Sequence, residues 1–77
     1  MKIEILGTGC QKCVKLYANT MLAVKQLGLT AAEVSKVEDF QKIREYDVMS
    51  TPAIAVDGKV ISAGKLMSVE EIKNLLV

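Results

Sequence analysis

The run Ala53-Ile54-Ala55-Val56 constrains the fold of this 77-residue chain more than any other segment. An apolar run without polar alternation is typical of a strand that is buried on both faces. Asp57-Gly58 follows directly and is the strongest short signal for a hairpin, here leading into a strand at residues 59–63. These residues therefore predict the buried centre of a sheet and one antiparallel pair.

The N-terminal third predicts a strand, a tight loop and a long helix. Residues 2–6 alternate around Ile3 and Ile5 and run into Gly7-Thr8-Gly9, which indicates a strand followed by a turn. A helix is expected over residues 10–27, with Gly28 as its C-terminal stop. Its buried face is predicted from apolar residues spaced by three and four, namely Val14, Tyr17, Met21 and Val24.

Three further elements follow from short local patterns. Residues 32–37 are less apolar than the first strand and predict a strand at a sheet edge. Asp39 is a suitable cap for a short second helix, with Phe40 and Ile43 expected inward and Tyr46 near its end. Ser68-Val69-Glu70-Glu71 matches a capping box and predicts a final helix. That helix is expected to bury Val69, Ile72 and either Leu75 or Leu76.

The predicted order is β-α-β-α-β-β-α, which places the chain in the α/β class. The first β-α-β unit implies a parallel pair with a right-handed crossover, and the closing hairpin implies an antiparallel pair. A mixed four-stranded sheet with helices on both faces is the compact arrangement of these elements. At this length we expect residues 1–77 to form a single domain.

Composition excludes several classes of function. A net charge of +1 and 4% aromatic residues do not suit nucleic-acid binding, and no apolar run approaches the ~20 residues that span a bilayer. Glu4 stands where a signal peptide would be apolar, so we expect a cytoplasmic protein without a membrane anchor. The absence of histidine removes Ser-His and Cys-His nucleophile pairs and every histidine metal ligand.

The motif Cys10-Gln11-Lys12-Cys13 predicts a reactive dithiol. Three residues of helix separate the two Cα atoms by about 5 Å, within the range that a disulfide tolerates. The helix start, with the nearby charges of Lys12 and Lys15, favours a thiolate at Cys10. We therefore expect Cys10 to be the attacking thiol, with a pKa of roughly 6.5 to 7.5 rather than about 8.5, and Cys13 to be the resolving thiol.

A cysteine pair with this spacing has other possible uses. A structural staple would close a loop of four residues and contribute only about 2 kcal/mol. Gly9 and Gln11 do not provide the apolar setting of inert buried thiols, and a dinucleotide-binding loop is rejected because Lys12 replaces its third glycine. The alternative that stays open is a module that binds Cu(I) or Zn(II) through the same thiols, although copper-chaperone domains have the order β-α-β-β-α-β.

Pro52, the one proline, precedes the buried strand. A proline in trans is common at a strand start because that position need not donate a ladder hydrogen bond. The functional alternative is a cis bond that turns the Thr51 backbone toward the cysteines, where it can pair with an extended peptide. The sequence alone leaves both conformations open.

Taken together, Cys10-x-x-Cys13, Thr51-Pro52 and Asp57-Gly58 resemble the thioredoxin superfamily. The segments Gly7-Thr8-Gly9-Cys10, Val48-Met49-Ser50-Thr51-Pro52-Ala53 and Val56-Asp57-Gly58-Lys59-Val60 are similar to its small archaeal and bacterial redox-active disulfide proteins. The resemblance covers essentially the whole chain. It implies a thioredoxin-like fold, dithiol–disulfide exchange without a cofactor or metal, and a cis Thr51–Pro52 bond.

The resemblance also suggests binding residues and partners. Gly9, Lys12, Thr51 and Pro52 are expected to contact the substrate, which is a disulfide in a protein or a small molecule. An upstream reductase, similar to thioredoxin reductase, is expected to supply electrons to a monomer. The glycine–aspartate element by which glutaredoxins hold glutathione corresponds to Ala63-Gly64-Lys65-Leu66, which keeps Gly64 but lacks the aspartate and so weakens the case for glutathione.

Two further residues are candidates for the site. Glu4 lies six positions before Cys10, where thioredoxins carry a buried acid, and it is a candidate proton acceptor for Cys13. The alternative is a solvated charge on a half-exposed strand. Tyr17 is expected in the core, with its hydroxyl as a minor candidate for the site.

Overall fold

A computed structural model of the chain describes residues 1–9, 11–29, 31–48 and 50–76. It contains the predicted order of elements. The strands are β1 (Lys2–Leu6), β2 (Glu33–Val37), β3 (Ala53–Val56) and β4 (Lys59–Ala63), and the helices are α1 (Gln11–Leu27), α2 (Phe40–Glu45) and α3 (Val69–Leu76).

The four strands form one mixed sheet in the order β2-β1-β3-β4. β1 pairs parallel to β2 and antiparallel to β3, and β3 pairs antiparallel to β4. The less apolar β2 lies at an edge as predicted, and the apolar β3 lies inside the sheet. Asp57 and Gly58 both have positive φ angles, 51° and 84°, as a two-residue hairpin turn of type I′ requires.

Helices cover both faces of the sheet. The face under α1 and α3, called here the α1–α3 face, carries a hydrophobic cluster whose buried members among the described residues are Ile3, Ile5, Leu16, Ala23, Ile54, Met67 and Ile72. The opposite face, called the α2 face, carries a smaller cluster of described residues: Leu6, Val37, Ile43, Ala53 and Ala55. Side chains alternate along each strand, so β1 and β3 contribute to both clusters.

Local hydrogen bonds fix where the helices begin and end. α1 ends in a Schellman motif, in which Gly28 N donates to the Lys25 carbonyl and Leu29 N to the Val24 carbonyl, both at 3.1 Å. The Asp39 side chain accepts from Gln41 N at 2.9 Å and caps α2. The predicted capping box of α3 is present, because Ser68 and Glu71 each accept a hydrogen bond from the other's backbone N–H.

The predicted buried face of α1 is wrong by one residue. The helix buries Cys13, Leu16, Thr20 and Ala23, whereas Val14 is 52% and Met21 is 45% exposed. The predicted and the observed buried residues have the same spacing, but a prediction that uses only apolar residues leaves out Thr20. Its hydroxyl donates to the Leu16 carbonyl at 2.7 Å, so the helix itself satisfies the buried polar group.

The inward position of Phe40 is also wrong. Phe40 is 66% exposed, and α2 packs on its face of the sheet through Ile43, flanked by Tyr46 and Val48. In α3, Ile72 is fully buried and Leu76 packs against the core while Leu75 is exposed, so the second of the two offered leucines is the inward one. Among the described residues, no helix is both long and apolar enough to cross a membrane.

Candidate active site

Cys13 lies in the first turn of α1 on its buried face, with 6% of its surface exposed. The thiol packs against the chain where β1 ends. A Cβ atom at Gly7 would lie 2.3 Å from Cys13 Sγ, so only glycine permits this approach. Gly7 N also donates to the Val37 carbonyl at 3.0 Å, which ties the loop to β2. The end of the sheet therefore holds the Cys13 thiol at a defined position.

The other residues of the motif face solvent. Gly9 and Lys12 are both exposed, and the first turn of α1 contains no acidic residue. Cys10, the predicted nucleophile, lies outside the described residues, and in sequence it directly precedes the first residue of α1. The described part of the motif is thus one buried thiol and one exposed lysine, preceded by an exposed Gly9.

The Thr51–Pro52 segment lies beside Gly7. The Thr51–Pro52 peptide bond is cis, Pro52 is buried and Thr51 is exposed. The Cβ position built on Gly7 is 4.0 Å from Pro52 Cα as well as close to Cys13 Sγ, so the proline and the thiol both lie near the same side of Gly7. Within the part of the chain that is described, no hydrogen bond engages the Thr51 backbone.

Gly64 is joined to the same segment. Its N–H donates to the Pro52 carbonyl at 2.9 Å, and its Cα faces Ser50, whose Cβ lies 2.8 Å from where a side chain at position 64 would begin. The loop after β4 therefore supports the loop before β3. Gly64 is linked to the site through Pro52, because the N–H of Gly64 donates to the Pro52 carbonyl.

A cleft of about 210 Å³ opens next to Cys13 on the α1–α3 face. Its lining residues come from β1, β2 and α1 and the loops that follow the two strands: Ile5, Gly7, Gly9, Cys13, Val14, Lys36 and Glu38. Lys36 and Glu38 are not among the residues that the sequence predicts for the site. The signal was available, because a parallel β1-α1-β2 unit brings the ends of both strands to the same edge, and the register pairs Ile5 with Lys36.

Tyr17 supports this cleft without lining it. The ring is half-buried against the core, and Lys36 Nζ lies 4.7 Å from its centroid in a cation–π contact. The predicted position of Tyr17 near the core is thus observed. The part of the side chain that bears on the site is the face of the ring, which holds the Lys36 ammonium.

Glu4 lies on the other side of the sheet from Cys13. Its neighbours Ile3 and Ile5 point into the α1–α3 face, so alternation places Glu4 on the α2 face. There its Oε1 accepts a hydrogen bond from the Tyr46 hydroxyl. This hydrogen bond, together with partial burial and the negative charges of Glu4 and Glu45, raises the pKa of Tyr46 above 10.0. The structure therefore does not bring Glu4 to the thiol that it was expected to deprotonate.

Among the described residues, no three His, Cys, Asp or Glu side chains are grouped as metal ligands would be. Cys10 is not among the described residues, so this absence concerns other parts of the chain. The chemistry that the described site offers is that of a buried thiol beside an unpaired backbone segment.

Comparisons with known proteins agree with this geometry. The family model for the thioredoxin domain matches residues 1–77. This chain belongs to the thioredoxin family. It is 43% identical over 76 residues to a thioredoxin of Methanothermobacter thermautotrophicus, covering 99% of this chain and 97% of the relative. It is 47% identical over 74 residues to a thioredoxin of Methanocaldococcus jannaschii, covering 96% and 84%. The chain is accordingly a thioredoxin-like disulfide oxidoreductase.

Proposed function

We propose that the chain is a dithiol carrier that reduces disulfides through Cys10 and Cys13. The observation that carries the proposal is the placement of Cys13, which is buried in the first turn of α1 against Gly7 and close to Pro52. A resolving thiol needs to be held next to the attacking thiol and away from competing disulfides. Family membership supports the same activity.

The exchange proceeds in two displacements. The Cys10 thiolate attacks one sulfur of the substrate disulfide, which forms a mixed disulfide and releases the other substrate sulfur as a thiolate. Cys13 then loses its proton, attacks Cys10 Sγ and releases the second substrate thiolate. Two electrons pass to the substrate, the two released thiolates take protons from solvent, and the protein is left with a Cys10–Cys13 disulfide. An upstream disulfide reductase returns the two electrons.

The substrate is held by its backbone. Thr51 is exposed and its backbone is unpaired within the described chain, so an extended peptide next to a disulfide can pair with it as an added strand. Gly9 leaves room for the peptide, and Lys12 contributes a positive charge at the motif. Glutathione is not the expected substrate, because the sequence lacks the glutaredoxin aspartate and Gly64 N is already bonded to Pro52.

The setting of the reaction follows from the chemistry. A reducing compartment such as the cytoplasm keeps the dithiol ready for use. A single domain over residues 1–77, working as a monomer, is sufficient for both displacements. No metal or cofactor takes part in either step.

Trapping tests the roles of the two thiols. In a Cys13→Ser variant the mixed disulfide at Cys10 cannot be resolved, so a peptide disulfide substrate should stay attached to the protein. The matched Cys10→Ser variant should form far less adduct, because Cys13 is buried. Mass spectrometry of both variants measures the difference. Equal trapping through Cys13 would overturn the assignment of roles.

Two further measurements separate redox exchange from metal binding. The thiolate absorbance of Cys10 against pH, in the Cys13→Ser variant, should give a pKa of roughly 6.5 to 7.5, and Lys12→Glu should raise it. One equivalent of Cu(I) is then offered to the reduced protein in competition with a strong chelator. Tight copper binding combined with no disulfide reduction would favour the metal-binding alternative.

A further inference from the structure

The resolving step requires Cys13 to lose a proton, and Glu4 is not placed to take it. Glu4 projects from the α2 face toward Tyr46, while Cys13 belongs to α1 on the opposite face. The sheet itself lies between the two groups. The proton must therefore leave Cys13 on its own side of the sheet.

The cleft beside Cys13 provides that exit. Its volume of about 210 Å³ leaves room for several water molecules. The cleft lies between α1 and β2, whereas the Thr51–Pro52 segment precedes β3 on the other side of β1. A peptide paired with Thr51 would thus leave the cleft open to solvent during the reaction.

Two charged residues line the cleft. Lys36 lies on β2 in register with Ile5, and Glu38 follows the last residue of β2. Within the described chain the ion pairs are Lys65 with Glu71 and Lys73 with Glu70, so neither charge of the cleft is neutralised by an ion pair. The Tyr17 ring holds the Lys36 ammonium in place.

The remaining surroundings of Cys13 carry little charge. Lys12 is its neighbour on α1 and points to solvent, and Lys15 is also exposed. β1 presents Ile5 and Gly7 to the thiol, and the segment before β3 presents Pro52. Lys36 and Glu38 are consequently the charged groups that face Cys13 across the cleft, with opposite effects on a developing thiolate.

We propose that Cys13 releases its proton to water in this cleft and that Lys36 is the positioning residue that favours the Cys13 thiolate during the resolving step. The inference rests on the proposed function, because it concerns the second displacement. The proton passes from Cys13 Sγ to cleft water, the thiolate attacks Cys10 Sγ, and the Cys10–substrate bond breaks. Lys36 acts through its electric field and touches neither the substrate nor the disulfide. Glu38 opposes it.

Single-turnover kinetics isolates this step. Reduced protein is mixed with an aromatic disulfide whose thiolate absorbs visible light. The first thiolate is released at a rate proportional to the disulfide concentration and reports attack by Cys10. The second is released in a concentration-independent phase that reports resolution by Cys13. The rate of this second phase is measured from pH 5 to pH 10.

The cleft variants are Lys36→Gln and Glu38→Gln, and the matched controls on the α2 face are Lys42→Gln and Glu4→Gln. Lys36→Gln should slow the second phase about three- to tenfold at neutral pH and move its midpoint to higher pH, since a removed cation no longer stabilises the thiolate. Lys36→Arg should restore the midpoint. Glu38→Gln should move it to lower pH by a smaller amount, and the two controls should leave it unchanged.

Each other outcome has a defined meaning. Equal profiles for Lys36→Gln and Lys42→Gln in folded proteins, as judged by circular dichroism, would overturn the role of Lys36. A shift of the midpoint in Glu4→Gln alone would mean that Glu4, on the α2 face, accepts the proton of Cys13. If the wild-type protein shows no second phase at all, the proposed dithiol function fails before the inference is reached, so the two failures are distinguishable.

Discussion

The α1–α3 face of the sheet is covered by two helices, and its hydrophobic cluster has seven buried members among the described residues. The α2 face is covered by one helix of six residues, and its cluster has five. All of the described thiol site lies on the deeper face: Cys13, the cleft and its charged rim. The thinner face carries Glu4, whose partner is Tyr46. The buried Cys13 thiol therefore lies on the side with the more extensive packing, where its neighbours hold it in position.

Cavity-forming substitutions should show this difference most strongly. Ile72→Ala removes a fully buried side chain from the inner side of α3 and should lower the free energy of unfolding by about 4 kcal/mol. Ile43→Ala, at the centre of the α2 contact, should cost about 2 to 3 kcal/mol, because a short helix can shift to fill the space. Urea denaturation of both variants measures the two costs. A greater loss of unfolding free energy from Ile43→Ala would mean that the packing of the α2 face contributes more to stability than that of the α1–α3 face.

Gly7 tests how tightly the deeper face holds the thiol. In Gly7→Ala the new methyl group would meet Cys13 Sγ at 2.3 Å, so the end of β1 and the start of α1 must separate. The expected cost is about 1 to 3 kcal/mol, with slower disulfide exchange. Gly58→Ala is the control, since its positive φ of 84° brings strain of about 1 kcal/mol without any contact within 4 Å. Gly58→Ala should lose stability without slower disulfide exchange. An unchanged exchange rate in a folded Gly7→Ala protein would mean that the contact between Gly7 and Cys13 does not position the thiol.

The fold could be predicted from the sequence because its signals are local. The apolar run at β3, the Asp57-Gly58 turn and the capping box of α3 each depend on residues within a few positions of one another, and all three are present in the structure. Membership of the thioredoxin family was likewise visible in short motifs, and the family comparison confirms it.

The parts that could not be predicted depend on contacts between distant segments. The rotation of α1 follows from the hydrogen bond that lets Thr20 be buried, which a count of apolar residues does not register. The partner of Glu4 is Tyr46, 42 positions away on another element. Lys36 and Glu38 become neighbours of Cys13 only through the parallel register of β1 and β2. The sequence gives the chemical type of each side chain, but packing decides the face of the sheet to which that side chain points.

Removal of the helix caps should show a smaller difference in stability between the two faces. α3 has a reciprocal cap between Ser68 and Glu71, and α2 has a one-way cap from Asp39 to Gln41 N. Ser68→Ala and Asp39→Ala should each cost about 1 kcal/mol, with the larger loss at Ser68 because it is half of a two-way pair. Urea denaturation at pH 7 measures both, and a larger loss at Asp39 would count against the comparison.

The cap of α3 should also depend on pH. The hydrogen bond and ion pair from Lys65, followed by the hydrogen bond from Ser68 N, lower the pKa of Glu71 below its ordinary 4.5. Because the folded value is the lower one, this contribution is complete above the pKa of the unfolded chain and disappears as the pH falls through the folded value. Glu71→Gln should therefore make the unfolding midpoint less sensitive to acid below about pH 4.5. An unchanged acid dependence in this variant would show that the pair contributes nothing.

The smallest expected effect lies on the thinner face, at the hydrogen bond from the Tyr46 hydroxyl to Glu4. Tyr46→Phe removes one hydrogen bond to a charged, half-buried acceptor and should cost about 1 kcal/mol at pH 8. The pKa of Tyr46 is raised in the folded protein, so this contribution is complete below about pH 10 and is lost as the pH rises through the folded value. In a Tyr17→Phe background Tyr46 is the one tyrosine left, and its phenolate absorbance can be titrated in the folded chain and in urea. The folded midpoint should be the higher of the two, and Glu4→Gln should lower it by removing the negative charge. Equal Tyr46 midpoints in the folded chain and in urea would mean that the hydrogen bond to Glu4 does not persist in solution. The Glu4 side chain would then have no fixed partner on the α2 face.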